Sequence, residues 1–403
     1  MRVLLISQGF PKYVGDSTAP FMAPIVRSVV DRGHAVDIVL PHHPEFRYPE
    51  GEGFQFFPYR YSPTDRLSPW GFGSSLKGSS RVSPQAALVL PAVLLSLRRR
   101  LAGLLTTGSY DVVHAHWLVP NAWVAAGPAT KRRVPLVITL HGSDVALAER
   151  TRLLRRVAHR TLSAAGAVTA VSDDLRLRVE RLGADPDSTR TVHLGVDTQA
   201  FAPRDIAPEE RSRLGAPEGA LLVVSVGRLV EKKGFHYLID AVSRLDHVHL
   251  AIVGDGDLRP ELEAFARSVG ASVTFTGNLD QPTVSAAAAA ADVVAVPSVV
   301  DAAGNVDGLP TTLLEALSTG RPVVASAIAG IPEVLVDRVN GLLTPEKDVG
   351  ALVAALAQLR DQPQLRDQLG REARRRALIE LDWSATAEAF EQAYLSARAR
   401  QRG

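Results

Sequence analysis

Hydrophobic residues fall in short, continuous runs that alternate along the chain with longer stretches of mixed apolar and polar positions. The run Arg2–Gln8 predicts a buried strand and, after the loop Gly9–Pro20, the mixed stretch Phe21–Arg32 predicts a helix. A second apolar strand, Ala35–Leu40, follows closely. Strands joined through a helix lie parallel in one sheet, so the chain opens with the repeating unit of an α/β fold.

The same alternation continues through two series of strands, which are separated by a polar, proline-rich bridge at Phe201–Gly219. The remaining predicted strands are Asp111–His116, Val134–Leu140, Ala167–Val171, Leu221–Val226, His249–Val253, Val273–Thr276, Val293–Val296 and Val323–Ser326. A last helix, Trp383–Ala397, has no strand of its own. We therefore predict two doubly wound domains, with a ligand crevice at the carboxyl ends of the strands of both sheets.

Length and composition agree with this organisation. A chain of 403 residues is too long for one comfortable hydrophobic core. Cysteine is absent, which excludes disulfides, thiolate metal sites and a cysteine nucleophile. The apolar run Ala86–Ser96 is about half the length that crosses a bilayer, and Met1–Ser7 carries no basic leader. The expected location is therefore cytoplasmic.

Charge is distributed unevenly between the two halves of the chain. Residues 1–200 carry a net charge of +8, and the remainder carries −6. Two basic segments, Ser74–Leu105 and Glu149–Leu162, mix arginines with leucines and valines. They are typical either of amphipathic helices that cover a sheet and keep their arginines in solvent, or of surfaces that bind anionic membranes or phosphorylated acceptors.

Two carboxylates, Asp307 and Glu315, stand eight positions apart around a turn and a helix start. Pro310 occupies the position at which the helix should begin, where a missing N–H has no consequence. The amides of Thr311 and Thr312 would then be donors at the positive end of that helix, which is a site for an anion. Because carboxylates bind sugar or ribose hydroxyls, the segment predicts a nucleotide-sugar site; the alternative is a surface helix with an aspartate upstream.

A basic loop follows the predicted strand Leu221–Val226. It carries Arg228 and Lys233, five positions apart, immediately before Gly234. A forked guanidinium and a compact ammonium at the carboxyl end of a strand form a suitable clamp for a diphosphate. The alternative interpretation is an ordinary basic turn that precedes a helix.

His141 ends the predicted strand Val134–Leu140 and begins the sequence His-Gly-Ser-Asp144. Released at the edge of the sheet, this histidine could bind a substrate hydroxyl, and Asp144 is expected to cap the following helix. His114 and His116 lie on a neighbouring strand and, by alternation, on the same face. With no third ligand visible in the sequence, packing or contact with the acceptor is favoured over a metal site.

These motifs, in this order, resemble those of the retaining glycosyltransferases of family 4, and the resemblance covers nearly the whole chain. It implies an α/β chain with the GT-B fold, in which two doubly wound Rossmann-like domains face each other across a cleft. Residues 1–200 would form the acceptor-binding domain, with the C-terminal helix 383–403 packing back on it. Residues 201–382 would form the nucleotide-sugar-binding domain.

The resemblance also implies the reaction and the catalytic residues. The protein would move a sugar from a nucleotide-diphosphate sugar, of the UDP or GDP type, to a hydroxyl acceptor, with no cofactor and no obligatory metal. Asp307 would hold the sugar hydroxyls, Glu315 the ribose, and His141 the sugar near its anomeric carbon. No side chain is an obvious base, so the departing phosphate would take the acceptor's proton.

Further binding residues follow from the same resemblance. The residues implied for the donor diphosphate are Arg228, Lys233, Gly15, Thr311 and Thr312. Those implied for the sugar and nucleotide are Gly308, Leu309, Glu315, Gly277, Asn278 and Leu279. In that register Lys232 faces solvent. The sequence departs from the family pattern at Asp16, where a second glycine is common, and at Asp307, where glutamate is more usual.

The implied partners are the nucleotide-sugar donor and a hydroxyl acceptor, either a glycan, a lipid-linked glycan or a small molecule. The pathway would be polysaccharide, glycolipid or glycoconjugate biosynthesis. Peripheral association with the inner face of the cell membrane, through the basic N-terminal domain, is a further expectation, and nucleic acid is not expected as a partner. Two alternatives stay open: a GT-B epimerase or hydrolase of sugar nucleotides, and a non-catalytic sugar-nucleotide-binding or membrane-docking protein.

Overall fold

The computed structural model describes residues 1–16, 18–65, 69–72, 76–77, 81–82, 84–204 and 208–402. The chain forms two compact units, one made of Met1–Leu194 with Trp383–Gly403 and the other of Gly195–Asp382. The first unit is discontinuous in sequence, because the C-terminal segment belongs to it. The division at Leu194 falls shortly before the boundary that the sequence predicts.

The first unit contains a parallel sheet with buried interior strands. Its strands are β1 (Arg2–Ile6), β2 (Ala35–Pro41), β3 (Phe54–Tyr59), β6 (Val112–His116), β7 (Leu136–Leu140), β8 (Ala167–Ala170) and β9 (Thr189–Thr191). They pair in the order β3-β2-β1-β6-β7-β8-β9, while β4 (Leu76–Lys77) and β5 (Arg81–Val82) form a separate antiparallel pair. The interior strands read as apolar runs in the sequence because both faces of a parallel sheet are covered by helices.

The helices of the first unit alternate with its strands. They are α1 (Met22–Asp31), α2 (Pro84–Thr107), α3 (Trp123–Arg132), α4 (Ser143–Ala148), α5 (Arg152–Ser163), α6 (Asp173–Arg181) and, at the end of the chain, α15 (Trp383–Arg402). The last of these packs against α1, β7 and β8, and its Phe390 and Tyr394 are fully buried. It therefore covers a sheet that the first half of the chain forms.

The second unit is continuous and is also built on a parallel sheet. Its strands are β10 (Leu221–Val226), β11 (Val248–Val253), β12 (Val273–Gly277), β13 (Val293–Val296), β14 (Val323–Ser326) and β15 (Leu342–Thr344), in the order β12-β11-β10-β13-β14-β15. Its helices are α7 (Pro208–Arg213), α8 (Phe235–Ser243), α9 (Arg259–Ser268), α10 (Gln281–Ala290), α11 (Thr311–Ser318), α12 (Ile331–Val334), α13 (Val349–Asp361) and α14 (Pro363–Glu380). The core lies between this sheet and helices that include α8, α9 and α13.

In each sheet the strand order reverses beside the first strand of the unit. β1 lies between β2 and β6, and β10 lies between β11 and β13. Loops that leave the carboxyl ends of strands on either side of such a point diverge and leave room for a ligand. The loop with Gly15 follows β1, the loop with Arg228 follows β10, and the segment that leads to Asp307 follows β13.

Some elements were not predicted from the sequence. β3, β9 and β15 lie at or near sheet edges, and the sequence of β3 contains Gln55 and Pro58, which interrupt its apolar run. Parts of the predicted segments lie outside the described residues, namely 17 in the loop Gly9–Pro20, 74, 75, 78–80 and 83 in the first basic segment, 205–207 in the proline-rich bridge and 403 in the C-terminal helix. None of the described helices is long and apolar enough to span a bilayer.

Candidate functional site

Loops that follow β10, β11 and β12 meet backbone to backbone at the carboxyl edge of the second sheet. The amide of Gly227 donates to the carbonyl of Val253, and the amide of Gly254 donates to the carbonyl of Gly277, each over 2.9 Å. A Cβ atom on Gly254 would lie 2.1 Å from the Gly227 carbonyl oxygen, so only glycine permits this approach. Gly277 is thereby fixed near the loop that carries Arg228.

The residues on either side of this contact differ in exposure. Arg228 is exposed, and it directly follows Gly227. Asn278 is exposed and Leu279 is half-buried; both lie between β12 and the start of α10. The roles predicted for Gly277, Asn278 and Leu279 at the nucleotide remain predictions.

The basic turn after β10 is anchored to the segment after β13. Glu231–Lys233 forms one turn of 3₁₀ helix, and Gly234 then adopts the left-handed conformation with φ of 67°. A Cβ atom on Gly234 would lie 1.8 Å from the carbonyl oxygen of Pro297. The carbonyl of Lys232 accepts a hydrogen bond of 2.9 Å from the amide of Val299. The turn is therefore held against the segment that leads to Asp307.

Both lysines of this turn pair with Asp307. Lys232 Nζ lies 2.6 Å from Asp307 Oδ1, and Lys233 Nζ lies 2.9 Å from Oδ2. The side chains of Lys232, Lys233 and Asp307 are only 13%, 16% and 20% exposed. The prediction that Lys232 faces solvent was wrong. The anchored turn directs both ammonium groups toward the same carboxylate, one to each oxygen.

These two cations determine the charge of Asp307. Burial by itself raises the pKa of a carboxyl group, but the charges of Lys233 and Lys232 outweigh burial and hold the pKa of Asp307 well below its ordinary value. Asp307 is therefore ionised at neutral pH. An ionised carboxylate accepts hydrogen bonds only, which suits it to bind hydroxyl groups.

Glu315, in the second turn of α11, has the opposite shift. Burial raises its pKa to about 7, and the charge of Lys233 opposes that rise. Lys233 thus acts on two carboxylates, Asp307 and Glu315, that are eight positions apart in the sequence. Strongly shifted pKa values of this kind are concentrated at functional sites.

The start of α11 presents backbone donors. Its first residue, Thr311, follows Pro310, and within the described part of the chain no side chain caps this end. Among the hydrogen bonds of the described residues, none accepts from the amides of Thr311 or Thr312. The preceding turn is fixed because the carbonyl of Gly308 accepts from the Gly330 amide over 2.9 Å and Leu309 is buried. The two amides are therefore available to an anion at the positive end of the helix.

In the first unit, His141 lies among aromatic rings. Its Nε2 atom is 3.0 Å from Nδ1 of His116, and the two rings stack with centroids 5.2 Å apart. The rings of Trp117 and Phe21 lie 4.8 and 5.1 Å from it. Burial lowers the pKa of His141 to about 3, so the ring is neutral at neutral pH. His141 can therefore exchange hydrogen bonds with a ligand but does not supply a charge.

Asp144 has a role other than the one that the sequence predicts. It lies inside the first turn of α4, and among the described residues that helix has no side-chain cap. Its carboxylate accepts hydrogen bonds of 3.0 Å from the amides of Gly142 and Leu118 and one of 3.3 Å from the amide of His141. The prediction that Asp144 caps the following helix was wrong. The residue instead ties the His141 loop to the loop after β6.

His114 and His116 lie on the same face of β6 but are occupied by side chains of the protein. His114 is fully buried between the hydroxyls of Tyr394 and Thr139, at 2.8 and 2.6 Å. His116, also buried, contacts His141. Across the described residues, no group of three or more potential ligands is placed to hold a metal ion.

Gly15 lies in the loop after β1, in the first unit. It is exposed and has a φ of 93°, a conformation that favours glycine. The neighbouring Asp16 accepts a hydrogen bond of 2.8 Å from the amide of Lys12 and closes the loop on itself. Asp16 therefore has a structural role in place of the second glycine, and contact between Gly15 and a diphosphate stays a prediction.

Comparison with known proteins identifies the family. Residues 22–200 match the sequence model of Glycosyltransferase Family 4, and residues 207–376 match that of Glycosyl transferases group 1. A D-inositol 3-phosphate glycosyltransferase from Thermomonospora curvata is 34% identical over an alignment of 324 residues, gaps included, which covers 72% of this chain and 72% of that protein. The chain belongs to glycosyltransferase family 4.

Solved structures agree in fold with this family 4 glycosyltransferase. Sucrose-phosphate synthase from Thermosynechococcus elongatus has a TM-score of 0.78 at 20% identity, over 99% of this chain and 100% of that chain. The Anabaena protein Alr3699/HepE, solved in complex with UDP-glucose, has a TM-score of 0.72 at 20% identity, over 98% and 100% of the two chains. The family 4 glycosyltransferase therefore has the GT-B fold, and the predictions of family and fold are confirmed.

Family membership also establishes the class of activity. The family 4 glycosyltransferase catalyses nucleotide-sugar-dependent transfer of a sugar in glycan biosynthesis. The second unit brings Lys233, Asp307 and Glu315 together, close to the start of α11. His141 belongs to the first unit, where it has its own cluster of rings.

Proposed function

We propose that this enzyme is a retaining, metal-independent transferase that moves the sugar of a UDP- or GDP-type donor to a hydroxyl acceptor. The observation that carries the proposal is the cluster in the second unit. There, Lys233 acts on both Asp307 and Glu315, beside a helix start with available amides. The cation and the anion-binding helix start suit the diphosphate of a nucleotide-diphosphate sugar, and the two carboxylates suit its sugar and ribose hydroxyls.

Each group of the donor has a partner in this proposal. The diphosphate binds the amides of Thr311 and Thr312 together with Arg228 and Lys233, and Gly15 approaches it from the loop after β1. Asp307, ionised and acceptor-only, binds sugar hydroxyls.

The nucleoside is held by neighbouring groups of the second unit. Glu315 binds the ribose diol. The backbone of Gly277, Asn278 and Leu279 borders the base, and the turn at Gly308 and Leu309 contacts the sugar nucleotide.

The reaction needs no general base from the protein. The acceptor oxygen bonds to the anomeric carbon on the face from which the diphosphate departs, and the bond from that carbon to the phosphate oxygen breaks. The electron pair of that bond stays on the diphosphate, which takes the acceptor's proton. Arg228, Lys233 and the helix-start amides stabilise the developing negative charge. Because these groups are fixed cations and donors of the protein, the diphosphate can be neutralised without a metal ion.

His141 orients the sugar in this scheme. A neutral imidazole can hydrogen-bond a sugar hydroxyl near the anomeric carbon without placing a positive charge beside it. Because its Nε2 atom is already in contact with His116, the ring is held in one orientation. His141 is therefore suited to select a sugar position and is not suited to act as an acid at neutral pH.

A thermal-shift screen tests the donor site. The folded protein is heated with UDP-, GDP- and ADP-sugars in the presence of EDTA, and Arg228→Ala and Glu315→Ala are run beside it. Arg375→Ala, an exposed change on α14, is the matched control. A donor at a hundredfold excess over its Kd stabilises the fold by about 2.7 kcal/mol, and we expect that stabilisation in the wild type and the control only.

The screen also separates the alternatives. Stabilisation that persists in EDTA supports metal independence, and stabilisation that appears only with added divalent cation contradicts it. Consumption of the stabilising donor without any acceptor would favour a hydrolase or an epimerase over a transferase. A folded wild type that no donor stabilises would contradict the proposed site.

We also propose that the first unit associates peripherally with the inner face of the cell membrane. On α5 and α6 a recess of about 310 Å³ is lined by four arginines, His159 and Leu182. Nearby on α5, Leu153 is 70% exposed. Exposed cations beside an exposed apolar side chain match the interface of an anionic bilayer.

Sedimentation with vesicles tests this association. Binding is expected with vesicles that contain anionic lipid, weak with purely zwitterionic vesicles, and reduced by salt. Replacing Arg155, Arg156 and Arg160 by Gln should remove most of it, whereas Arg375→Gln should not. Equal binding by the triple variant would contradict a role for this surface.

A further inference from the structure

Lys232 is a half-buried cation to which the proposed function assigns no role. Its ammonium lies 2.6 Å from Asp307 Oδ1, and its side chain is only 13% exposed. The other oxygen of Asp307 is held by Lys233, over 2.9 Å. Asp307 therefore has two cations in the donor-free protein, although one would suffice to balance its charge.

Lys233 has competing partners in the proposed reaction. Its stem runs close over Gly227, where a Cβ atom would lie 3.2 Å from Lys233 Cε, beside the exposed Arg228. If Lys233 turns to the donor diphosphate, Asp307 loses one of its two cations. A mostly buried carboxylate without a cation tends to protonate or to rotate away, and it then no longer binds sugar hydroxyls as an acceptor.

Lys232 is placed to keep one cation beside Asp307 when Lys233 turns away. Its carbonyl is bonded to the amide of Val299, and the carboxylate of Glu231 accepts from the amide of Ala302 over 2.9 Å. Both contacts attach the turn to the segment that leads to Asp307. These contacts fix the main chain from which the Lys232 side chain reaches Asp307, and they do not involve the side chain of Lys233.

We propose that Lys232 is a positioning residue that keeps Asp307 ionised and directed at the donor sugar while Lys233 engages the diphosphate. The inference rests on the proposed function, because it assigns the two lysines to different parts of the same donor. Lys232 touches neither the sugar nor the phosphate in this scheme. Its effect on the donor passes entirely through Asp307.

Binding measurements on matched variants test whether Lys233 binds the diphosphate while Lys232 acts on Asp307. Affinities are measured by calorimetry for a nucleoside diphosphate and for its sugar derivative, namely UDP with UDP-glucose, GDP with GDP-mannose and ADP with ADP-glucose. Lys233→Gln should weaken the nucleoside diphosphate roughly 10- to 100-fold, since it removes a charged partner of the phosphates. Lys232→Gln should leave that affinity within about twofold but remove the additional affinity that the sugar contributes.

Two further variants show whether Lys232 acts through Asp307. Lys232→Arg should restore the sugar contribution, because a guanidinium also pairs with a carboxylate. In the Asp307→Asn background, adding Lys232→Gln should change the affinity for the sugar nucleotide little further. If the two residues acted independently, the fold-losses in affinity of the two single variants would multiply in the double variant. Melting curves confirm that each variant is folded before binding is compared.

The outcomes separate this inference from the proposed function. Equal loss of nucleoside diphosphate affinity in Lys232→Gln and Lys233→Gln would overturn the inference, because both lysines would then bind phosphate. An unchanged sugar contribution in Lys232→Gln, or multiplied losses in the double variant, would overturn it as well. A folded wild type that binds none of the six compounds would instead contradict the proposed function and the inference together.

Discussion

At the scale of single residues, Asp307 and Glu315 differ in ionisation because Lys232 pairs with Asp307, whereas Lys233 acts on both carboxylates. Asp307 lies between two ammonium groups and stays ionised. Among the described residues, Lys233 is the one cation whose charge lowers the pKa of Glu315, and burial raises that pKa to about 7. The same low exposure therefore has opposite consequences, depending on how many cations are near. A donor that draws Lys233 to its phosphates would change the balance at both carboxylates.

Glu315 makes the stability of the donor-free enzyme depend on pH. Its folded pKa of about 7 lies above the ordinary 4.5, so its contribution to stability is fully present below pH 4.5 and is lost as pH rises through 7. Asp307, whose pKa is lowered, adds no pH dependence in this window. Urea unfolding at pH 5 and pH 8 should show that Glu315→Gln loses less stability than the wild type, by about 1–3 kcal/mol. An identical loss in both proteins would mean that Glu315 titrates normally.

Residue contacts could be predicted from the sequence only where spacing along an element determines them. Asp307 and Glu315 flank a helix start, so their approach to one lysine follows from the turn between them. The contact of Lys232 with Asp307 does not follow in this way, because it depends on a 3₁₀ turn and on backbone bonds to a distant segment. The contact of His116 with His141 joins the end of β6 to the residue that follows β7, and in the sequence only the alternation along β6 pointed to it.

At the scale of elements, the interior strands and the edge strand β12 were predicted, whereas the edge strands β3, β9 and β15 were not. β10, β13 and β14 begin and end where their apolar runs do, because both of their faces are buried. β9 and β15 have three residues each, too few to show a period, and the sequence of β3 is interrupted by polar residues and proline. Burial on both faces produces a continuous apolar run in the sequence, whereas an edge strand is recognisable only where, as in β12, it keeps such a run.

The turn before α8 depends on a glycine with no space for a side chain. Gly234 has a φ of 67°, and a Cβ atom would lie 1.8 Å from the carbonyl of Pro297. Gly270 is a matched control, since its φ is 68° and no atom lies within 4 Å of its Cβ position. Gly270→Ala should cost about 1–2 kcal/mol for the backbone conformation alone, whereas Gly234→Ala should cost more and displace the turn.

Urea unfolding and donor-induced thermal shifts measure the two effects of these alanine variants. We expect Gly270→Ala to retain the thermal shift, because it lies away from the basic turn. Gly234→Ala should lose the shift, since Lys232 and Lys233 would move with the turn. Equal unfolding free energies for the two variants would show that the contact with Pro297 relaxes without cost.

At the scale of the whole molecule, the order of the sequence and the division into units do not coincide. Gly195–Asp382 is continuous, but the first unit takes its last helix from the end of the chain. The residues just after Leu194 belong to the second unit for local reasons: the Val196 amide donates to the Leu381 carbonyl over 2.8 Å, and Phe201 is buried. Composition placed the bridge at Phe201–Gly219, because polar and proline content marks a connection but does not show on which unit it packs.

The final helix should therefore decide whether the first unit folds. On α15, Phe390 and Tyr394 are fully buried, and Ala397 packs so closely that a Cβ atom on Gly166 would lie 2.9 Å from its own. Burying two such aromatic side chains contributes roughly 3–6 kcal/mol, which is comparable with the 5–15 kcal/mol that stabilises a typical domain. A chain that ends at Asp382 should thus leave the first unit unfolded while the continuous second unit keeps its structure.

Hydrogen exchange followed by mass spectrometry measures this difference unit by unit. The matched control is a chain that ends at Ala399, which loses the ion pair between Arg400 and Asp185 but keeps the buried part of α15. Because that pair is largely exposed, its loss should cost little stability and leave the protection of both units intact. Protection of β1, β6 and β7 in the chain that ends at Asp382 would contradict the prediction, and the first unit would then be stable without its last helix.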